Sequence, residues 1–119
     1  MNENEHFQLT WHDTIAVVSP SPAVETLPEA AIESAARMFL SVLEKSPPSE
    51  LIVDLSRVPF FGSAFFSFLL QCHRVMRGHN GDLHLAGCAP KVKELMHLMN
   101  FDTLWAIYDT RQQALEALG

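Results

Sequence analysis

Basic side chains are scarce in this chain: eight lysines and arginines stand against fourteen aspartates and glutamates, a formal charge of −6. A protein that neutralises nucleic-acid phosphates normally carries a basic patch, so this balance points away from a nucleic-acid partner. Cysteine is almost absent as well, with Cys72 and Cys88 alone. They form no Cys-x-x-Cys pair, and His6, His12, His73, His79, His84 and His97 include no His-x-x-x-His, so no metal is expected. Neither cysteine has a sequence neighbour that would lower its pKa, which argues against a thiol nucleophile. No window approaches the ~18–20 apolar residues of a membrane span. The opening MNENEHFQLT has no basic region followed by an apolar stretch. Together with unpaired thiols this gives the expectation of a cytoplasmic protein without direct membrane insertion. There is no phosphate-cradling glycine loop, no Gly-x-Ser-x-Gly elbow and no catalytic carboxylate signature, so neither an enzyme nor a cofactor is expected.

What is present fits an ordinary globule. The 119 residues are 48% hydrophobic and 18% charged, and the expectation is one domain over residues 1–119 with one core. A chain of this length buries ~60–70% of its unfolded surface, enough to fold without disulfides. Charge is uneven: residues 1–56 hold nine acids and two bases, residues 57–119 five acids and six bases. A basic partner would prefer the first half.

Apolar periodicity predicts the elements. Phe7 to Trp11 alternates as a strand, Thr14 to Val18 reads as a second, and His12-Asp13 turns between them. The stretch Ser19-Pro20-Ser21-Pro22 is expected to bar a regular element. From Pro28 the spacing of Ile32, Ala35, Phe39, Val42 and Leu43 predicts a helix that Pro47-Pro48 ends. Leu51 to Leu55 reads as a strand buried on both faces at the centre of the sheet. Ala64 to Arg77 reads as a second helix with Phe66, Leu69, His73 and Met76 along its inner stripe. Asn80-Gly81 turns into a strand over Asp82 to Ala86, and Pro90 opens a third helix carrying Val92, Leu95, Met96 and Met99. Leu104 to Tyr108 is the last strand, and Asp109 with Gln112 resembles a capping box opening a helix over Thr110 to Leu118. The order β-β-α-β-α-β-α-β-α implies parallel crossovers in a mixed sheet.

From about residue 50 to 118 the chain resembles the STAS domain, the module of anti-sigma-factor antagonists and of sulphate-transporter tails. The resemblance rests on the strand Ile52-Val53-Asp54-Leu55, the turn ending at Ser63, the Asn80-Gly81 turn, Pro90 opening a helix and Asp109-Thr110 opening the last. It implies an α/β fold with a mixed sheet and about four helices packed mainly on one face. It also implies a binding partner: an anti-sigma factor that is also a serine kinase, or another signalling or transporter subunit. In antagonists of this family the turn before the second helix commonly reads Asp-Ser-Ser-Gly, with the first serine phosphorylated. Here it reads Gly62-Ser63-Ala64-Phe65, so Ser63 alone carries over as the phosphorylation candidate.

Two readings of that turn stand side by side. Ser63 precedes the helical pattern, where its hydroxyl could simply accept a bond from a free backbone N–H. A phosphate there would instead be favoured by the same N–H groups and the helix dipole. Gly62 would permit positive φ or close backbone approach. Five of the eight phenylalanines fall between Phe60 and Phe68, and a helix turning ~100° per residue cannot aim them all at one sheet. Phe66 follows the inner stripe, whereas Phe65 and Phe68 fall on its flanks. Phe61, Gly62, Ser63, Ala64, Phe65 and Phe68 therefore make the expected partner-binding set. A thick core and a homodimer face are the alternatives for the aromatics.

Overall fold

The computed structural model describes residues 6–119. In chain order it comprises β1 (Phe7–His12), β2 (Ile15–Pro20), α1 (Glu29–Lys45), β3 (Glu50–Asp54), α2 (Ser63–Gly78), β4 (Leu83–Ala86), α3 (Pro90–Leu98), β5 (Ala106–Tyr108) and α4 (Arg111–Leu118). The strands form one sheet in the order β1-β2-β3-β4-β5. β1 pairs antiparallel with β2, and the remaining neighbours are parallel. The chain is thus mixed α/β, in the expected element order and with β3 at the centre.

The hairpin closes through Asp13-Thr14, with Asp13 at φ 58°, a left-handed conformation that a short polar side chain tolerates. The expectation that Ser19-Pro20 breaks regular structure is corrected, because β2 runs through both residues. The ladder's alternation supplies the reason. The Ser21 N–H donates to the His6 carbonyl, so Phe7 and Pro20 form the next, non-hydrogen-bonded pair, and the proline nitrogen faces away from β1. β2 pairs with β3 only as far as Val18, so no ladder bond is due from Pro20 on that side either. Ser21 then caps a short 3-10 turn over Pro22–Glu25.

α1, α2 and α3 pack on one face of the sheet around Ala16, Val18, Leu51, Val53, Leu83 and Leu85. α4 covers part of the other face through Ala114, against Val17 and Ile52. On α1 the expected core residues Ile32, Ala35, Phe39 and Leu43 are buried, but Val42 is half-exposed. The true stripe includes Ala36, which rotates Val42 to the flank. Met99 is likewise exposed rather than core, while Val92 and Met96 are fully buried. Gly81 is required by space: a Cβ there would lie 2.5 Å from the Ser49 carbonyl oxygen. None of the described helices is long and apolar enough to cross a membrane.

The cap of α4 also differs from expectation. Thr110, not Asp109, accepts from the Gln113 N–H at 3.1 Å, while Asp109 lies 3.5 Å from Lys93. α4 is tied to the sheet by Arg111, whose Nε donates to Asp54 Oδ2 at 2.9 Å at the end of β3, and Asp54 Oδ1 accepts from the Ser56 N–H. Asp54 is buried and Arg111 about one-third exposed. Arg111→Ala is expected to destabilise the fold by about 1–2 kcal/mol, below the cost of breaking a fully buried pair because water reaches the arginine side. Urea unfolding that leaves the midpoint unchanged would contradict this.

Candidate partner-binding site

The site begins where β3 leaves the sheet. Leu55, Val58 and Phe61 are buried and pin the connecting loop to the core, while Phe60 between them is turned outward. α2 then starts at Ser63, with Gly62 as N-cap and no side chain capping the first turn. Gly62 has φ −100° and ψ −166°, ordinary extended backbone, and a Cβ there would meet nothing within 4 Å. Positive φ and close approach are therefore not what the glycine supplies, correcting that expectation. A longer residue would project into solvent.

Ser63 is exposed at the first helical position, not the capping one. Its hydroxyl does not accept a backbone N–H; it donates to Glu29 Oε2 at 3.5 Å, across to the first turn of α1. The plain-cap reading is thereby replaced by a side-chain contact between two helix N-termini. Below it, a cleft of about 170 Å³ separates α1 from α2, lined by Glu33 and Arg37 on one wall and Ala64, Ser67 and Gln71 on the other. Ala64 is partly exposed there, and its small side chain leaves the cleft open.

The aromatic residues fall otherwise than expected. Phe65 is fully buried, Phe68 is 1% exposed and Phe61 3% exposed. The expectation that Phe65 and Phe68 lie on exposed flanks is corrected, and Phe61 is interior with them. Phe65 sits 4.8 Å from Phe61 and 5.3 Å from Phe68, and Phe68 stacks on Phe7 at 4.6 Å, centroid to centroid. The inner stripe is Phe65, Phe68, Leu69, Cys72 and Met76. Phe66 lies instead at the margin, 4.8 Å from Phe101, which stacks on Trp105 at 5.4 Å. His73, also placed on the inner stripe by periodicity, sits at the same margin and accepts from Trp105 Nε1 at 3.1 Å. Its Nδ1 is thus the unprotonated nitrogen, and its pKa is lowered, first by burial and then by Arg77. Leu98, Met99 and Leu104 add exposed apolar surface at the end of α3 and just after it. Sequence reasoning missed Glu29 as the neighbour of Ser63, and Phe66 and Phe101 as half-buried residues at the margin of this region.

The thiols offer no chemistry here. Cys72 is buried in the core and its pKa is pushed well up by desolvation. Burial raises Cys88 to about 11, against the opposing pull of Lys93. Both stay protonated near neutral pH and are poor nucleophiles. Among the described residues no three histidine, cysteine or carboxylate side chains converge as a metal site would need.

The family model described as STAS domain matches residues 14–114. Over 60 residues the chain is 30% identical to the STAS-domain containing protein PA14_20770 of Pseudomonas aeruginosa, covering 50% of this chain and 59% of that protein. A putative pentatricopeptide repeat-containing protein of Arabidopsis thaliana is 29% identical over 77 residues, 63% of this chain but 13% of its own length. The chain thus spans less than two-thirds of each curated relative. Among solved structures, an anti-sigma-factor antagonist (STAS) domain protein from Planctomyces limnophilus is 28% identical with a TM-score of 0.81, over 93% of this chain and 96% of that one. A sulfate transporter family protein from Wolinella succinogenes, 14% identical over 91% and 87%, shares the fold at a TM-score of 0.73.

Proposed function

The chain belongs to the STAS domain family, and from that premise we propose that it is an anti-sigma-factor antagonist-like regulator, acting in the cytoplasm by binding an anti-sigma factor or serine kinase and not by catalysis. Phosphorylation of Ser63 releases the partner. The observation that carries this reading is the exposed Ser63 hydroxyl at the first position of α2, beside partly exposed Ala64 and half-buried Phe66. The likeness to an antagonist domain over nearly the whole of both chains supports it. Backbone N–H groups of an uncapped first turn would receive a phosphate, and its charge of about −1.5 to −2 would disrupt an apolar contact.

One observation favours a second reading, an unphosphorylated scaffold subunit of a signalling assembly or membrane transport complex. Glu29 stands 3.5 Å from the Ser63 hydroxyl, and its carboxylate opposes a phosphate there. The intact mass of the protein from its own cells, before and after phosphatase and beside Ser63→Ala, separates the two. A phosphatase-sensitive phosphate that the variant lacks is the expected result. An unmodified mass under every growth condition tested would overturn the switch in favour of the scaffold.

A further inference from the structure

The aromatic margin beside Ser63 is tied to α2 by a hydrogen bond whose acceptor can take up a proton. Asn100 turns the chain out of α3 in a left-handed conformation, φ 64°, into a short 3-10 turn over Phe101–Thr103. The segment that follows lies against the flank of α2 at two points. Phe101 packs edge-on against Phe66 at 4.8 Å, and Trp105, stacked on Phe101 at 5.4 Å, donates its Nε1–H to His73 Nδ1 at 3.1 Å. Phe66 and His73 stand about two helical turns apart on α2, so the segment bridges them. On its other side the Phe66 ring meets Phe61, which is pinned in the core, at 6.1 Å. The Phe101 contact is the one that can change.

Trp105 is 1% exposed, so its indole N–H depends on His73 for a partner. An imidazolium cannot be that partner. Protonation places a hydrogen on Nδ1, and two donors then face each other across the 3.1 Å contact. Burial and Arg77 lower the pKa of His73, Asp82 before β4 pulls it the other way, and Arg74 adds to the lowering. Arg77 and Asp82 are bonded to each other at 2.8 Å. In the segment packed on His73, Asp102 is bonded to His97, while His84 of β4 lies on the opposite face of the sheet, paired with Glu50. Because the folded-state pKa lies below that of the unfolded chain, the stabilisation from this bond is complete above about 6.5 and is lost as pH falls through the lower, folded value.

We propose that His73 is a positioning residue of the partner-binding margin: by accepting from Trp105 it fixes Phe101 and, through it, the ring of Phe66, and its protonation releases them. Leu104, exposed within the same segment, is released with them. The partner-binding surface is therefore ordered at neutral pH and loosened in acid. This inference rests on the binding role proposed above for the surface around Phe66, but its first readout needs no partner.

NMR of the full chain tests this, since it resolves the indole N–H groups of the two tryptophans, Trp11 and Trp105, and the ring signals of Phe66. Between about pH 7.5 and pH 5 the Trp105 indole proton is expected to lose about tenfold or more of its protection relative to free tryptophan, and the Phe66 signals to shift with the same midpoint. His73→Gln offers a carbonyl acceptor that does not titrate, so it should hold the bond and abolish both responses. His97→Gln should leave them as in wild type. Where the anti-sigma factor binds, its loss of affinity over the same pH range should be about tenfold greater for wild type than for His73→Gln. Phe66 signals that stay in place while Trp105 loses protection would make the bond merely local and overturn the proposal, as would a pH response that survives in His73→Gln. A partner that binds neither protein refutes the antagonist reading alone, because the Phe66 signals still decide the role of His73.

Discussion

Phe65→Ala is expected to lower the free energy of unfolding by about 3–5 kcal/mol, the range for deleting a fully buried aromatic ring from a packed core. Phe65 is wholly enclosed between Phe61, Phe7 and Phe68. Removing it leaves a void that those rings cannot close without leaving their own contacts. Phe66→Ala should behave oppositely. Its ring is half-buried against Phe61 and Phe101, so the stability loss is about 1 kcal/mol, whereas affinity for the partner falls because an exposed aromatic beside Ser63 is lost. Urea unfolding and partner titration of both variants check the contrast. Should Phe65→Ala unfold at the wild-type midpoint, the burial of this ring would be refuted; should Phe66→Ala bind as tightly as wild type, Phe66 would be no anchor.

That pair of residues also marks how far the sequence can be read. The period of α2 is plain from its apolar residues, but its phase is not, because Phe65, Phe66, Phe68, Leu69 and Leu70 offer two overlapping stripes of equal hydrophobicity. The choice is made by Cys72 and by partners far away in sequence, Phe7 and Phe39, which the hairpin and α1 bring against Phe65 and Phe68. β3 was legible because a parallel central strand must be apolar on both faces. β2 was shortened by reading proline as a breaker, when ladder alternation gives Pro20 a place with no bond to lose. The loop to Ser63 was legible as a turn, yet Glu29 was not legible as its neighbour: the contact joins positions thirty-four apart through the parallel packing of two helices.

For the antagonist proposed above, Ser63→Glu is expected to weaken binding to its anti-sigma factor by about 100-fold, about 2.7 kcal/mol, while leaving the fold nearly as stable as before. The two effects separate because they have different origins. Within the fold, a carboxylate at the first position of α2 gains roughly 0.3–1 kcal/mol from the helix dipole, in a turn that has no acidic residue of its own. Glu29 opposes it by a similar amount through the contact that now holds the hydroxyl. In the Glu29→Gln background that opposition is gone, so Ser63→Glu should become stabilising by a few tenths of a kcal/mol. At the interface no such compensation exists, since a partner packed on Ala64 and Phe66 would have to desolvate the new charge whether or not Glu29 is present. Glu29→Gln is therefore expected to turn the neutral effect of the mimic on stability into that small gain while leaving its binding as weak as before. Calorimetric titration against the anti-sigma factor, beside thermal unfolding of all four proteins of the cycle, reads both quantities. Unchanged affinity of Ser63→Glu would end the antagonist reading, and rescue of binding by Glu29→Gln would mean that the charge acts by moving α1 rather than by blocking the surface.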